Sequence, residues 1–256
     1  VTHVPPQTAA VRQPQAHAVL PRFSFAFQPI VDASAGKISS YEALVRGCNG
    51  ESAFSVLERV GADAMPAFDE RARVVAIELA ARLAIGCRLN LNLLPRSVMA
   101  SDAPLNSTVA AAERSGIPLA RIVLEATEGE VIDDHVHFAR VVNRYREMGM
   151  KFAIDDFGAG YSGLNLLADF QPDMVKLDMN LVRGIDSRGP RQAIVRAIVQ
   201  ACGDLGIDVL AEGVETVAEY LWFRSAGVDL YQGHLFAKPG FECLPGFRDP
   251  GLPLAG

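Results

Sequence analysis

KFAIDDFGAGYSG, residues 151–163, joins a short apolar run to two aspartates and then to a loop with glycines at 158, 160 and 163. The run has the composition of a strand buried on both faces, and the loop leads into a helical pattern. Five other stretches share this design: RLNLN ending at Asn92, RIVLE at Glu125, DMVKLD around Lys176, DVLAE at Glu212 and DLYQG at Gln232. Each is an apolar strand that ends in a residue suited to bind a metal or a phosphate. The segments near 104–115, 133–149, 161–169, 190–205 and 216–226 are predicted helices from their periodicity. Strands alternating with helices make a parallel sheet. If that sheet closes into a barrel, the strand C-termini meet on one face, where barrel enzymes keep their chemistry.

The start of the ordered chain breaks this pattern. FSFAFQPIV, the turn DASAGK and ISSYEALVR place two strands across a short turn, so they must run antiparallel; a parallel pair needs a long crossover. The expected fold is therefore an α/β, TIM-like (β/α)8 barrel with an antiparallel first strand. Residues 51–60 and 66–85 read as helices, the second placing Phe68, Val75, Leu79 and Leu83 on one face between Pro66 and Gly86. Residues 1–22, rich in Pro, Gln and Ala, read as a flexible leader or linker. The domain is expected over 23–245, with 246–256 as a tail.

A chain of 256 residues, half of them apolar, suits one such barrel. It has no apolar run long enough to span a bilayer, and its first residues lack a basic region followed by an apolar one, so export is not expected. Cys48, Cys87, Cys202 and Cys243 are widely spaced with no CxxC pair, which reads as buried free thiols in a reducing cytoplasm. The net charge of −6, without a basic run, argues against polymeric nucleic acid as a partner. An acidic pocket still accepts a phosphate once divalent metals invert its charge. His135 and His137 flank Val136 on a predicted helix, face apart, and read as solvated.

Asp155 and Asp156 are neighbours, and adjacent strand residues point to opposite faces, so a shared role requires the strand to end there. One aspartate bridging two metals while the next binds the second is a solution for two-ion phosphoryl chemistry; a helix cap, the alternative, needs one carboxylate. Glu125 ends an apolar strand, where a carboxylate is costly unless paired or metal-bound. Glu128 falls in the following loop, as a functional acid or as a capping partner of Thr127. Lys176 either steers a phosphate or water, or forms a salt bridge to Asp155 or Asp156. Glu212 and Gln232 hold the same place on the last two strands.

YEALVR at 41–46 resembles the signature of EAL domains, which are cyclic di-GMP phosphodiesterases. The resemblance continues through FQPIV (27–31), NLN to Asn92, LEATE (124–128), DDFGAGYSGL (155–164), VKLD (175–178), AEGVET (211–216) and QGHLFAKP (232–239). It implies a TIM-like barrel with an antiparallel first strand. It also implies that Glu42, Asn92, Glu125 and Asp155 hold one Mg2+ or Mn2+, and that Asp155, Asp156 and Glu212 surround a second. By the same resemblance Lys176 orients the attacking water, Gln232 is a nearby hydrogen-bonding partner, and Glu128 steadies the loop carrying the Asp pair. Gln28 and Arg46 resemble ligand contacts, Arg46 suiting a phosphate or guanine edge through its planar fork. The implied reaction is metal-dependent hydrolysis of cyclic di-GMP to linear pGpG, with a homodimer expected.

Some positions depart from the pattern. Leu94 and Gly163 stand where relatives often have Ser, and His234 where they often have an aromatic residue. The segment 47–66 is shorter than usual, which resembles EAL domains attached to blue-light-sensing BLUF modules, so an upstream sensor module is an expected partner. Two competing readings are a non-catalytic receptor or interaction module on the same fold, and a barrel enzyme acting on sugar phosphates. Domains of the first kind typically lose acidic ligands; the second should carry a Gly-rich phosphate site after strands seven and eight.

Overall fold

The computed structural model describes residues 20–127, 135–159, 167–168 and 170–250, the side chains of residues 100, 135 and 136 excepted. Strands β1 (Phe23–Asp32) and β2 (Lys37–Gly47) form the expected antiparallel hairpin, with Gln28 opposite Glu42. Six strands then run in parallel: β3 (Arg88–Asn92), β4 (Ile122–Thr127), β5 (Lys151–Phe157), β6 (Met174–Leu177), β7 (Asp208–Ala211) and β8 (Leu230–Tyr231). β1 closes the barrel by pairing antiparallel with both β2 and β8. A two-residue strand, β9 (Gly240–Phe241), adds to β1 where β8 has ended.

The described helices are α1 (Ala53–Leu57), α2 (Met65–Arg82), α3 (Pro95–Ala100), α4 (Ala103–Ser115), α5 (His135–Glu147), α6 (Met179–Val182), α7 (Gly189–Leu205) and α8 (Val217–Ser225). They agree with the periodicity except for α3 and α6, which are too short to show any. The helix expected over 161–169 falls largely outside the described residues. No described helix is long and apolar enough to cross a membrane. On α2 the buried side is wider than predicted: Phe68 and Leu79 are buried as expected, Val75 and Leu83 only in part, and Arg73 is buried among them. All four cysteines are free, but only Cys202 is buried; Cys48 and Cys243 are exposed.

Strand alternation divides the core in two. Outward-facing residues such as Leu89, Leu91, Leu124, Phe152, Ile154, Val175 and Tyr231 pack in the large shell between sheet and helices. Inward-facing residues Ile30, Val123, Ala153, Met174 and Leu210, with Leu230 against them, form a separate apolar plug inside the barrel. That plug is the floor on which the site stands.

Candidate active site

One step above the floor, two residues further towards the strand C-termini, the inner layer turns polar. Val123 is followed by Glu125, Ala153 by Asp155, Met174 by Lys176, Leu210 by Glu212 and Leu230 by Gln232. On the antiparallel β1 the step runs backwards, from Ile30 to Gln28. β2 and β3 contribute Glu42 and Asn90, which are register partners. Each strand of the barrel thus supplies one residue to a single connected network.

Lys176, 1% exposed, is its hub: Nζ lies 2.8 Å from Glu212 Oε1, 2.9 Å from Asp155 Oδ1, 3.1 Å from Glu125 Oε2 and 3.5 Å from Glu42 Oε2. Gln232 Nε2 donates to Glu42 Oε2 at 2.7 Å and to Gln28 Oε1 at 3.3 Å. Asn90 Nδ2 donates to Glu125 Oε1 at 2.7 Å. Burial alone would depress the Lys176 ammonium, but the surrounding carboxylates hold it well above the usual lysine range. Burial pushes Glu125 up to about 8, even with Lys176 opposing the shift, and pushes Glu212 well above the usual carboxylate range. One ammonium is too little charge for four carboxylates, and the site favours protons or further cations.

The oxygens arrange for cations in two groups. Glu42, Glu125 and Asp155 bring carboxylate oxygens within 4.8 Å of one another, and so do Asp155, Asp156 and Glu212. Asp155 belongs to both. The buried Asn90 Oδ1 has no hydrogen-bond partner among the described residues, although it sits beside the first group. Such an orphaned acceptor next to hard oxygen donors fits an Mg2+, Mn2+ or Ca2+ ligand set.

Asp156 joins its neighbour by an unexpected route. β5 continues to Phe157, but its pairing with β6 shifts between Ile154 and Phe157, and Asp156 takes a left-handed φ of 52°. This bulge, rather than the expected end of the strand, turns both carboxylates to one side. Partial burial and the charges of Asp155 and Asp178 raise the Asp156 carboxyl.

Asn92 is exposed and lines a second recess of about 320 Å3 with Arg46, Glu125 and Thr127, and it is the register partner of Glu125 on β4. Asn90, two residues earlier and given no role from sequence, is buried, lies opposite Glu42 and shares a strand face with Asn92, one step deeper in the barrel.

Arg46 stands at the rim of this recess, half-buried, and its Nη1 donates to Val45 O at 2.7 Å. The main cleft, about 360 Å3, is lined by Gln28, Glu42, Asp155, Asp156, Glu212 and Gln232 among others. Asp178, given no role from sequence, also lines it and caps α6 by accepting from Asn180 N at 2.9 Å. Glu128 lies outside the described residues. His137 belongs to neither acidic group.

Comparison with known proteins places this chain in a family. The blue light- and temperature-regulated antirepressor BluF of Escherichia coli K12 is 36% identical over 228 residues, 88% of this chain and 56% of BluF. The cyclic di-GMP phosphodiesterase PA2567 of Pseudomonas aeruginosa is 32% identical over 225 residues, 85% of this chain and 38% of that protein. The chain thus spans about half the length or less of these relatives. Among solved structures, a standalone EAL protein of Vibrio cholerae O395 in its c-di-GMP-bound form superposes with a TM-score of 0.87 at 47% identity, covering 90% of this chain and 98% of that one. Klebsiella pneumoniae BlrP1 in a manganese/cy-diGMP complex superposes with a TM-score of 0.83 at 41% identity, covering 89% of this chain and 58% of that one. A family model described as EAL domain matches residues 13–239. With its barrel, its YEALVR strand and most of its length matched, the chain belongs to the EAL domain family.

Proposed function

We propose that the chain hydrolyses one phosphodiester bond of cyclic di-GMP, giving linear pGpG, with two divalent cations, Mg2+ or Mn2+, in the cleft. The observation that carries this reading is the inner layer itself. Two oxygen-donor groups share Asp155, and a buried amide oxygen of Asn90 beside them lacks a partner among the described residues. The names of relatives support the substrate: PA2567 is a cyclic di-GMP phosphodiesterase, and BlrP1 was solved with manganese and cy-diGMP.

In this reading Glu42, Asn92, Glu125 and Asp155 would hold one cation, with the buried Asn90 bonded to Glu125 beneath them, and Asp155, Asp156 and Glu212 would hold the other. When bound, the cations acidify the attacking water and take up charge on the phosphoryl oxygens. Lys176, already within 3.1 Å of Glu125, Asp155 and Glu212, keeps those carboxylates together and donates to the attacking oxygen. Gln232 fixes Glu42 through its 2.7 Å bond, and Gln28 is fixed in turn by Nε2 donation to Ala237 O at 3.1 Å. Arg46 presents its fork at the rim for a phosphate or a guanine edge. Glu128 steadies the loop after the Asp pair. The setting is cytoplasmic, the unit is a homodimer, and a sensor module precedes the domain, as the BluF relationship suggests.

The test is incubation with cyclic di-GMP and Mg2+ or Mn2+, with and without EDTA, followed by chromatography. EDTA-sensitive pGpG is expected. The name of BluF, an antirepressor, favours a second reading as a non-catalytic receptor. Intact dinucleotide in every tube, with tight binding by calorimetry, would establish the receptor and sink the enzyme.

A further inference from the structure

Behind β3, outside the polar network, lies a second buried charge pair. Arg73 of α2 is 1% exposed, and its Nη1 meets Asp69 Oδ2 at 2.6 Å. The same Nη1 reaches Asn92 O at 3.4 Å, while Nε donates to Thr108 Oγ1 at 3.3 Å. The other carboxylate oxygen, Asp69 Oδ1, accepts from Leu94 N at 3.1 Å. One ion pair therefore grips the chain on both sides of Leu93, at the corner where β3 becomes α3. Leu93 N donates across to Glu125 O at 2.7 Å. Two residues before the corner, Asn90 bonds Glu125 and leaves Oδ1 free.

We propose that Asp69 and Arg73 are positioning residues for the first cation group: they set the height of β3 against β4, so that Asn92, whose backbone oxygen Arg73 holds, and its register partner Glu125 address the same ion. This rests on the metal-dependent reading above. Stability does not account for the pair, because a buried ion pair is often replaceable by apolar residues without loss. Its surroundings are also poorly satisfied. Arg73 Nη2 and Tyr145 Oη, like Asn90 Oδ1, are buried side-chain atoms without a hydrogen-bond partner among the described residues. Departures from full satisfaction concentrate where geometry serves a site. The pair acts through backbone atoms of β3 and touches no reacting group.

The test is calorimetric titration of Mn2+ into the EDTA-stripped full chain, with thermal unfolding followed in parallel. Arg73→Met, and Arg73→Met combined with Asp69→Asn, are expected to weaken Mn2+ binding about 10- to 100-fold, as loss of a residue that orients a metal ligand does. The double variant leaves no buried charge unpaired, so it separates positioning from charge burial if the single variant fails to fold. Arg73→Lys keeps the charge without the fork and is expected to fold and bind weakly. Thr108→Val removes the Nε contact and the bond from Thr108 Oγ1 to Pro104 O, leaves the Asp69–Arg73 pair in place, and is expected to bind as the wild type. A folded double variant with wild-type Mn2+ affinity overturns the proposal. A wild-type chain that takes no Mn2+ overturns the cation site itself, and this inference with it.

Discussion

Glu125 shows how far burial and charge drive one residue. Its carboxyl, pushed to about 8 by burial, would titrate near 4.5 in the unfolded chain. A group raised in this way stabilises the fold fully below the unfolded value and loses that contribution as pH rises through the folded one. EDTA-treated protein is therefore expected to lose on the order of 2 kcal/mol between about pH 6 and pH 8. Added Mn2+ should restore it and should bind more tightly at the higher pH, because the proton must leave first. Thermal unfolding across pH, with and without Mn2+, checks this; a flat profile in EDTA counts against it. Two asparagines on one strand face bear on the same carboxylate. Asn92→Ala should raise the calorimetric Kd for Mn2+ about tenfold or more; an unchanged Kd would remove Asn92 from the ligand set. Sequence singles out Asn92 at the strand end but holds no sign that Asn90, on the same face, bonds Glu125 from below. Arg73 was illegible for a different reason: a charge on a helix reads as its solvent side, and here the partner that permits burial is Asp69, one turn away.

At the scale of elements, short strands depend on the residues just beyond their ends. β8 is two residues long, and Gln232 lies just beyond it, held by Val214 N donating to Gln232 O at 3.0 Å. Gly233 makes this approach possible: its φ is 157°, and a Cβ there would fall 2.1 Å from Val214 O, a backbone atom with nowhere to move. Gly233→Ala is expected to cost roughly 1–3 kcal/mol by overpacking and to displace Gln232 from Glu42, lowering turnover as well. Urea denaturation and steady-state rates measure the two effects; an unchanged Cm would contradict the close approach. The strands before their final residues were legible, since each is an apolar run between turn signals. The β5 bulge was not, because nothing in Asp-Asp announces a left-handed residue. Nor was β9, whose Gly-Phe pair carries no alternation and is fixed by β1 alone.

The whole barrel was legible because its inner layer repeats: Gln28, Glu42, Glu125, Asp155, Lys176, Glu212 and Gln232 each sit at one level of a different strand. The homodimer proposed for the chain predicts twice the monomer mass by light scattering at tens of micromolar, and a monomer there would remove it. The reversed first strand bears on how such a domain is governed. In an all-parallel barrel the chain enters through the floor, far from the chemistry. Here β1 runs the other way, and Phe23 pairs with Gly47 at the C-terminal end of β2. Pro21 and Arg22 line a surface recess with Asn49, Glu51 and Arg59, beside α1. The polypeptide therefore comes in over the mouth that opens onto the acidic cleft. Ser24, the second residue of β1, pairs directly with Arg46, so the entry of the domain and the rim of its second recess are neighbours on one hairpin.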